Sequence, residues 1–392
     1  MNPFFLLSSK KIVKYLLILN IIVIPLFVFI YYQNKGNDLI YPIIDKNSIF
    51  RKYTNSSDRN VIYGYLPWWQ LEELEYIQLN RITDIAYFGL RINGDGTIQT
   101  NLEDGTLEPG YSRWNSSQKL ADFIKQAQKY HVRVSLTVIS HIDYNSNDFL
   151  DCNSCWNTLA NQLITQMNKH NIKDLNINFE YVGGTPKDKA SKYNQFVAYI
   201  NEFMDNKYGD SFVVTSAFAD SASGTRISSE ITELSRASDG IFIMGYDFHV
   251  PTSSNAGPVA PYDKIEKTVN EFLAYSPANK LILGVPYYGY NWVVDSDVLG
   301  ASRIEGNDYI GYSASQIYSG IKQTINETNS TVYFNEVSKT PYFNYTSPTT
   351  NSLRQVHFEN KESLEYKYEL IKSKNLLGLG IWALGYDSGH TE

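Results

Sequence analysis

The chain has 392 residues, enough for one large domain or two ordinary ones. Its net charge is −7 and no basic run occurs beyond the N-terminus, which argues against nucleic acid as a partner. Aromatic residues reach 14%, an excess that suits a carbohydrate cleft, where rings stack on sugar faces, and that a drift toward Asn, Ile, Lys and Tyr would equally produce.

Lys10, Lys11 and Lys14 precede an uncharged, largely apolar run of 18 residues from Tyr15 to Tyr32. A bilayer is spanned by about 20 apolar residues, with tyrosine favoured at the interface. The reading adopted is an uncleaved signal anchor over residues 1–34 with a cytoplasmic N-terminus and the rest of the chain outside the cell. A cleaved signal peptide is the alternative, although no small-residue cleavage site follows Tyr32. Residues 35–58 are polar and aperiodic and read as a linker to a domain over 59–392.

That domain alternates in a regular way. Strands are expected from Val61 to Leu66, before Pro67-Trp68-Trp69, and from Ile82 to Leu90, before the turn signal Asn93-Gly94-Asp95-Gly96. Leu120, Phe123, Ile124 and Ala127 have helical spacing within Ser116 to Tyr130. A third strand, Val132 to Ile139, is followed by Cys152 and Cys155. In an oxidising compartment these two cysteines would form a local disulfide. A redox pair would need a βαβ context, and zinc would need two more ligands, of which nearby His141 is only one.

A helix from Trp156 to His170 leads into Asn171 to Glu180, the fourth strand. Read with period two, Leu175, Ile177 and Phe179 form an apolar face, and Asn176, Asn178 and Glu180 a polar one. Gly183-Gly184 ends the strand close to Glu180. Two readings fit this stretch: an acid at the mouth of a barrel, or an edge strand with one wet face. Thr185-Pro186 is expected to start the next helix, whose buried stripe is Phe196, Val197, Ile200, Phe203 and Met204. Strands five, six and seven are Phe212 to Phe218, Gly240 to Tyr246 and Leu281 to Tyr288, with a helix carrying Ile265, Val269 and Phe272 before the last. Residues from about 291 to 360 read as a small α+β insertion. A helix from Ser363 to Lys374 and strand eight, Gly378 to Leu384, complete an α/β (β/α)8 TIM barrel. A doubly wound sheet is the rival, but no glycine-rich phosphate loop follows the first strand.

In a barrel the chemistry sits at several strand ends. Those ends carry Tyr65, Glu180, Tyr246 with Asp247, Tyr287 with Tyr288, and Trp382. One acid among rings and hydroxyls points to a sugar site with general acid catalysis. No metal cluster, nucleophile elbow or phosphate loop is visible, so no metal or cofactor is expected.

Five segments resemble glycoside hydrolase family 18, the chitinases and their relatives. They are Gly64-Tyr65-Leu66-Pro67-Trp68-Trp69, Asp174 to Glu180, Met244-Gly245-Tyr246-Asp247, Gly284-Val285-Pro286-Tyr287-Tyr288-Gly289 and Gly380-Ile381-Trp382-Ala383, in register over residues 61 to 387. The resemblance implies a glycosidase acting on glycans that contain N-acetylglucosamine, with the substrate's own acetamido group as nucleophile. It makes Glu180 the acid/base, Tyr246 the hydrogen-bond partner of the acetamido group, Asp247 a support for that subsite and Trp382 its floor. Tyr65, Asn176 and Tyr288 complete the substrate-facing set. The sequence departs from the signature D-G-x-D-x-D-x-E at its opening Asp-Gly, which is Lys173-Asp174, and at its middle Asp, which is Asn176. It departs also two residues before the acid, where Asn178 keeps the shape of Asp without its charge. The Ser-x-Gly-Gly of strand three is replaced by Ser135-Leu136-Thr137-Val138. A non-catalytic sugar-binding protein on the same barrel is therefore the alternative function.

Overall fold

The computed structural model describes residues 60–181, 185–186 and 188–389. Eight parallel strands close a barrel: β1 (Val61–Pro67), β2 (Asp84–Arg91), β3 (Arg133–Ser140), β4 (Asp174–Phe179), β5 (Val213–Phe218), β6 (Gly240–Met244), β7 (Leu281–Pro286) and a last strand, Gly378–Trp382, between β7 and β1. Helices run between them: α1 (Pro109–Ser116), α2 (Gln118–Lys129), α3 (Asp143–Leu150), α4 (Asn153–Asn168), α5 (Lys189–Tyr208), α6 (Ile231–Ala237) and α7 (Tyr262–Leu273). The predicted (β/α)8 architecture is therefore the one observed. The predicted membrane span lies outside the described residues, among which no helix is long and apolar enough to cross a membrane.

Alternation decides which side chains face the helices. Leu175, Ile177 and Phe179 of β4 are buried among residues of α3, α4 and α5, with Phe179 5.8 Å from Phe149 and 5.7 Å from Phe196. Burying one such side chain is worth about 1.5–3 kcal/mol, and slipping β4 by one residue would remove all three from this layer and turn them into the barrel interior. The opposite face of β4 looks into the barrel, and the edge-strand reading is excluded because β4 pairs with both β3 and β5. Inside, Phe242 of β6 fills the axis. A Cβ on Gly284 would meet its ring at 2.5 Å and one on Gly380 at 2.2 Å, so both glycines are there to admit it.

Between β7 and the last barrel strand lies a five-stranded antiparallel sheet: β8 (Tyr288–Val293), β9 (Ala314–Ile317), β10 (Tyr333–Asn335), β11 (Thr340–Thr346) and β12 (Leu353–His357). It carries α8 (Tyr318–Thr328), and α9 (Lys361–Ser373) then leads to β13, the last barrel strand. The insertion begins at Tyr288, not near 291, and Tyr288 belongs to β8 rather than to strand seven. The turn falls at Tyr287, whose amide donates to the Trp382 carbonyl at 2.7 Å. The helix expected to start at Thr185 starts at Lys189, with Asp188 at its N-cap, and the Thr185 amide donates to the Thr225 carbonyl at 3.2 Å. Short helices α1, α3 and α6 went unread, having seven or eight residues each and little periodicity to show. Cys152 and Cys155 form the expected disulfide at the start of α4.

Candidate active site

The C-terminal end of β4 delivers three polar side chains inward at successive depths. Asn176 is fully buried. It accepts from the Tyr65 hydroxyl at 3.1 Å and donates to the Val214 carbonyl at 3.3 Å, while Tyr65 also shares a hydrogen bond with Ser216 at 2.7 Å. Tyr65 and Asn176 were expected to face substrate. The structure puts both beneath the site, where they tie β1, β4 and β5 together under its floor. Asn178, one step higher, is 3% exposed. Glu180 is the member that reaches the mouth, its side chain 30% exposed. Its amide donates to the Ser140 carbonyl at 2.9 Å, which fixes the residue just past the end of β4.

Across the barrel, Tyr246 and Asp247 follow β6. Asp247 has φ +62°, in the left-handed region that Asp tolerates better than most residues. That turn aims its carboxylate at β8, where the Tyr288 hydroxyl donates to Oδ1 and the Tyr290 hydroxyl does so at 2.6 Å. Tyr288 thus serves Asp247 rather than the open cleft, and it is 7% exposed. Burial raises the Asp247 carboxyl above the usual range, against the pull of both hydroxyls. Burial, reinforced by Tyr65, Asp247 and Glu180, lifts the Tyr246 phenol well above its ordinary value, so it remains a hydrogen-bond donor.

Trp382 ends β13 with its ring 5.4 Å from Tyr65 and 4.9 Å from Phe88, edge to face with the latter. These rings, from β1, β2 and β13, form an aromatic floor on that side of the barrel. Trp69, 43% exposed on the rim, donates from Nε1 to the Tyr386 hydroxyl at 3.2 Å. The arrangement supplies one carboxyl acid, a neutral phenol donor, a braced carboxylate and a flat apolar face, a set suited to protonating an ether oxygen of a sugar held on the rings.

Three contributors were not assigned from sequence. Tyr290 braces Asp247, and Trp69 forms the rim; both were visible as aromatic residues near strand ends. The third is His141, just past β3. Its Nε2 lies 2.5 Å from Asn178 Oδ1 and 3.5 Å from Glu180 Oε1.

Residues 61–387 match the model of glycosyl hydrolases family 18. The chain is 27% identical to an uncharacterized glycosylase, YvbX, of Bacillus subtilis over 231 residues, covering 58% of this chain and 62% of that one. It is 25% identical to a cortical fragment-lytic enzyme of the same organism, covering 58% of this chain and 50% of that one. The chain thus spans between half and two thirds of the length of these relatives. Among solved structures, the Ostrinia furnacalis Group IV chitinase superposes with a TM-score of 0.70 at 17% identity, covering 84% of this chain and 94% of that one, which is a likeness of fold.

Proposed function

The chain belongs to glycosyl hydrolases family 18, and from that premise we propose that it hydrolyses glycans containing N-acetylglucosamine, with Glu180 as the acid and then the base. The observation that carries this is the position of Glu180: past the end of β4 at the barrel mouth, partly exposed, and near enough to Tyr246 and its neighbour Asp247 to act on that phenol. The Glu180 carboxyl gives its proton to the glycosidic oxygen as the bond from that oxygen to C1 breaks. The acetamido oxygen of the same sugar bonds to C1 in its place, giving an oxazolinium. Water then attacks C1, Glu180 takes its proton, and the acetamido group is restored. Tyr246 donates to the acetamido oxygen, and Asp247, held by Tyr288 and Tyr290, keeps Tyr246 and the sugar in register. No second protein carboxylate is needed as nucleophile.

Cortical peptidoglycan is a substrate class that the cortical fragment-lytic relative suggests, and chitin is one that the similarity to Chitinase A1 of Niallia circulans suggests. Both present N-acetylglucosamine to this floor. Incubating the full chain with chitin oligomers and with cortical peptidoglycan fragments, and following new reducing ends, tests the reading. Glu180→Gln is expected to lower kcat by about 10³-fold or more while binding persists.

A second reading, a sugar-binding protein without turnover, is favoured by Asn178, which lacks the charge that would offset an oxazolinium. Sugar binding without turnover by the wild type would establish it. We propose further that residues 15–32 anchor the protein in the membrane with the barrel outside. Retention in the membrane fraction, together with protease access to the barrel on intact cells, supports that placement, and recovery in the soluble fraction contradicts it.

A further inference from the structure

A buried amide stands two residues before the acid, and something must hold it. His141 does so from the neighbouring strand end. An acceptor such as Asn178 Oδ1 requires that the imidazole Nε2 carry a proton, and the same N–H lies beside Glu180 Oε1. With its oxygen occupied, the amide cannot rotate to offer that oxygen to substrate, so His141 fixes what residue 178 presents to the cleft. A neutral amide also cannot change its protonation with Glu180. The imidazole is the group in contact with both that can.

We propose that His141 is a positioning residue that takes over the proton coupling of the missing carboxylate, orienting Asn178 and forming with Glu180 a dyad whose protonation state gates the reaction. The proposal rests on the reading of Glu180 as the acid. When the dyad holds one proton on Glu180 and the imidazole is neutral, the acid can donate to the glycosidic oxygen as described. When the imidazole takes up a further proton on Nδ1 while Glu180 keeps its own, a cation stands beside the site where the oxazolinium must form. Turnover therefore falls on the acid side as His141 charges. The other titratable groups facing this pair are Tyr65, which Glu180 influences from inside the barrel, and Tyr246 with Asp247 from the β6 end; Asp143, two residues after His141, acts on Tyr181. Phe88 of β2 covers the ring at 6.1 Å without charge.

The test compares pH profiles of kcat/KM for the full-length wild type and His141→Gln, which keeps a donor for Asn178 but cannot charge. At the acid pH where the wild type has dropped about tenfold, His141→Gln is expected to stay within about twofold of its own plateau, with its basic limb unmoved. His141→Ala, which loses the donor, is expected to lower kcat by about tenfold or more with little change in KM, and His141→Gln to recover most of that loss. An acid limb unchanged in His141→Gln overturns the proposal. A second readout does not depend on turnover: the His141 ring resonances titrate in two coupled steps in the wild type and in one step in Glu180→Gln. A single step in both overturns the dyad. If the wild type turns over no glycan, the hydrolase reading fails alone, and the ring titration still decides whether His141 and Glu180 are coupled.

Discussion

Asn178 has the size of an aspartate and none of its charge. A carboxylate at that depth would face an oxazolinium with little water to screen it, and a preorganised electrostatic partner of that kind is worth about 10²–10³ in rate. Asn178→Asp is therefore expected to raise kcat on N-acetylglucosamine oligomers. The gain should be larger in a His141→Gln background, because in the wild type the new carboxylate would pair with the imidazole 2.5 Å away. Equal kcat in all four combinations would show that charge at position 178 does not limit the reaction. At this scale the site was partly legible. The position of Glu180 could be read because a strand's period of two puts it on the face of Asn176 and Asn178, and a strand end is where a barrel exposes such a face. How deep each residue lies could not be read, so Tyr65 and Asn176 were placed in the cleft when they brace it from beneath. His141 was hidden for another reason. Its contact with Asn178 joins two strand ends that are 37 residues apart in sequence.

The glycines of β7 and β13 show how one element makes room for another. Phe242 occupies the axis only because Gly284 and Gly380 have no Cβ. Gly380→Ala is expected to lower stability by about 1–3 kcal/mol, the cost of overpacking a filled core, read as the midpoint of urea unfolding. An unchanged midpoint would mean that the ring has space to move. The strands were legible as apolar runs bounded by turn residues, whereas their ends were set by contacts that sequence does not display. β7 stops at Pro286 because Tyr287 turns to the Trp382 carbonyl, and Tyr288 opens the inserted sheet. That early start matters for function. The first strand of the insertion supplies both hydroxyls that hold Asp247, so the insertion is part of the site's support rather than an appendage.

For the molecule as a whole, the end of the barrel opposite the site carries a buried charge cluster. Asp174 begins β4, 5% exposed, and its Oδ1 accepts from Arg133 at 2.8 Å and from the Phe212 amide at 2.9 Å. Burial, aided by Asp84, outweighs Arg133 and pushes the Asp174 carboxyl up to about 6. An unfolded aspartate titrates near 3.9, so between about pH 4 and 6 the unfolded chain loses a proton that the fold retains. The contribution of Asp174 is thus most favourable at low pH and is lost as pH rises through that window, by roughly 3 kcal/mol in all. Asp174→Asn keeps the acceptor without the charge. Its Tm relative to wild type is expected to rise from pH 4 to pH 7, and a constant difference would contradict the assignment. Asp174 falls within the segment that resembles the family signature, yet its role is to close the far end of the barrel. The proposed acid lies six residues on, and the central claim is that Glu180 there cleaves a bond beside N-acetylglucosamine. The most direct measurement is single-turnover hydrolysis of N-acetylglucosamine oligomers by wild type and Glu180→Gln, with binding followed in parallel. Turnover by the wild type, lost about 10³-fold in a variant that still binds, is the predicted result; equal rates in both, or tight binding by a wild type that never cleaves, would contradict it.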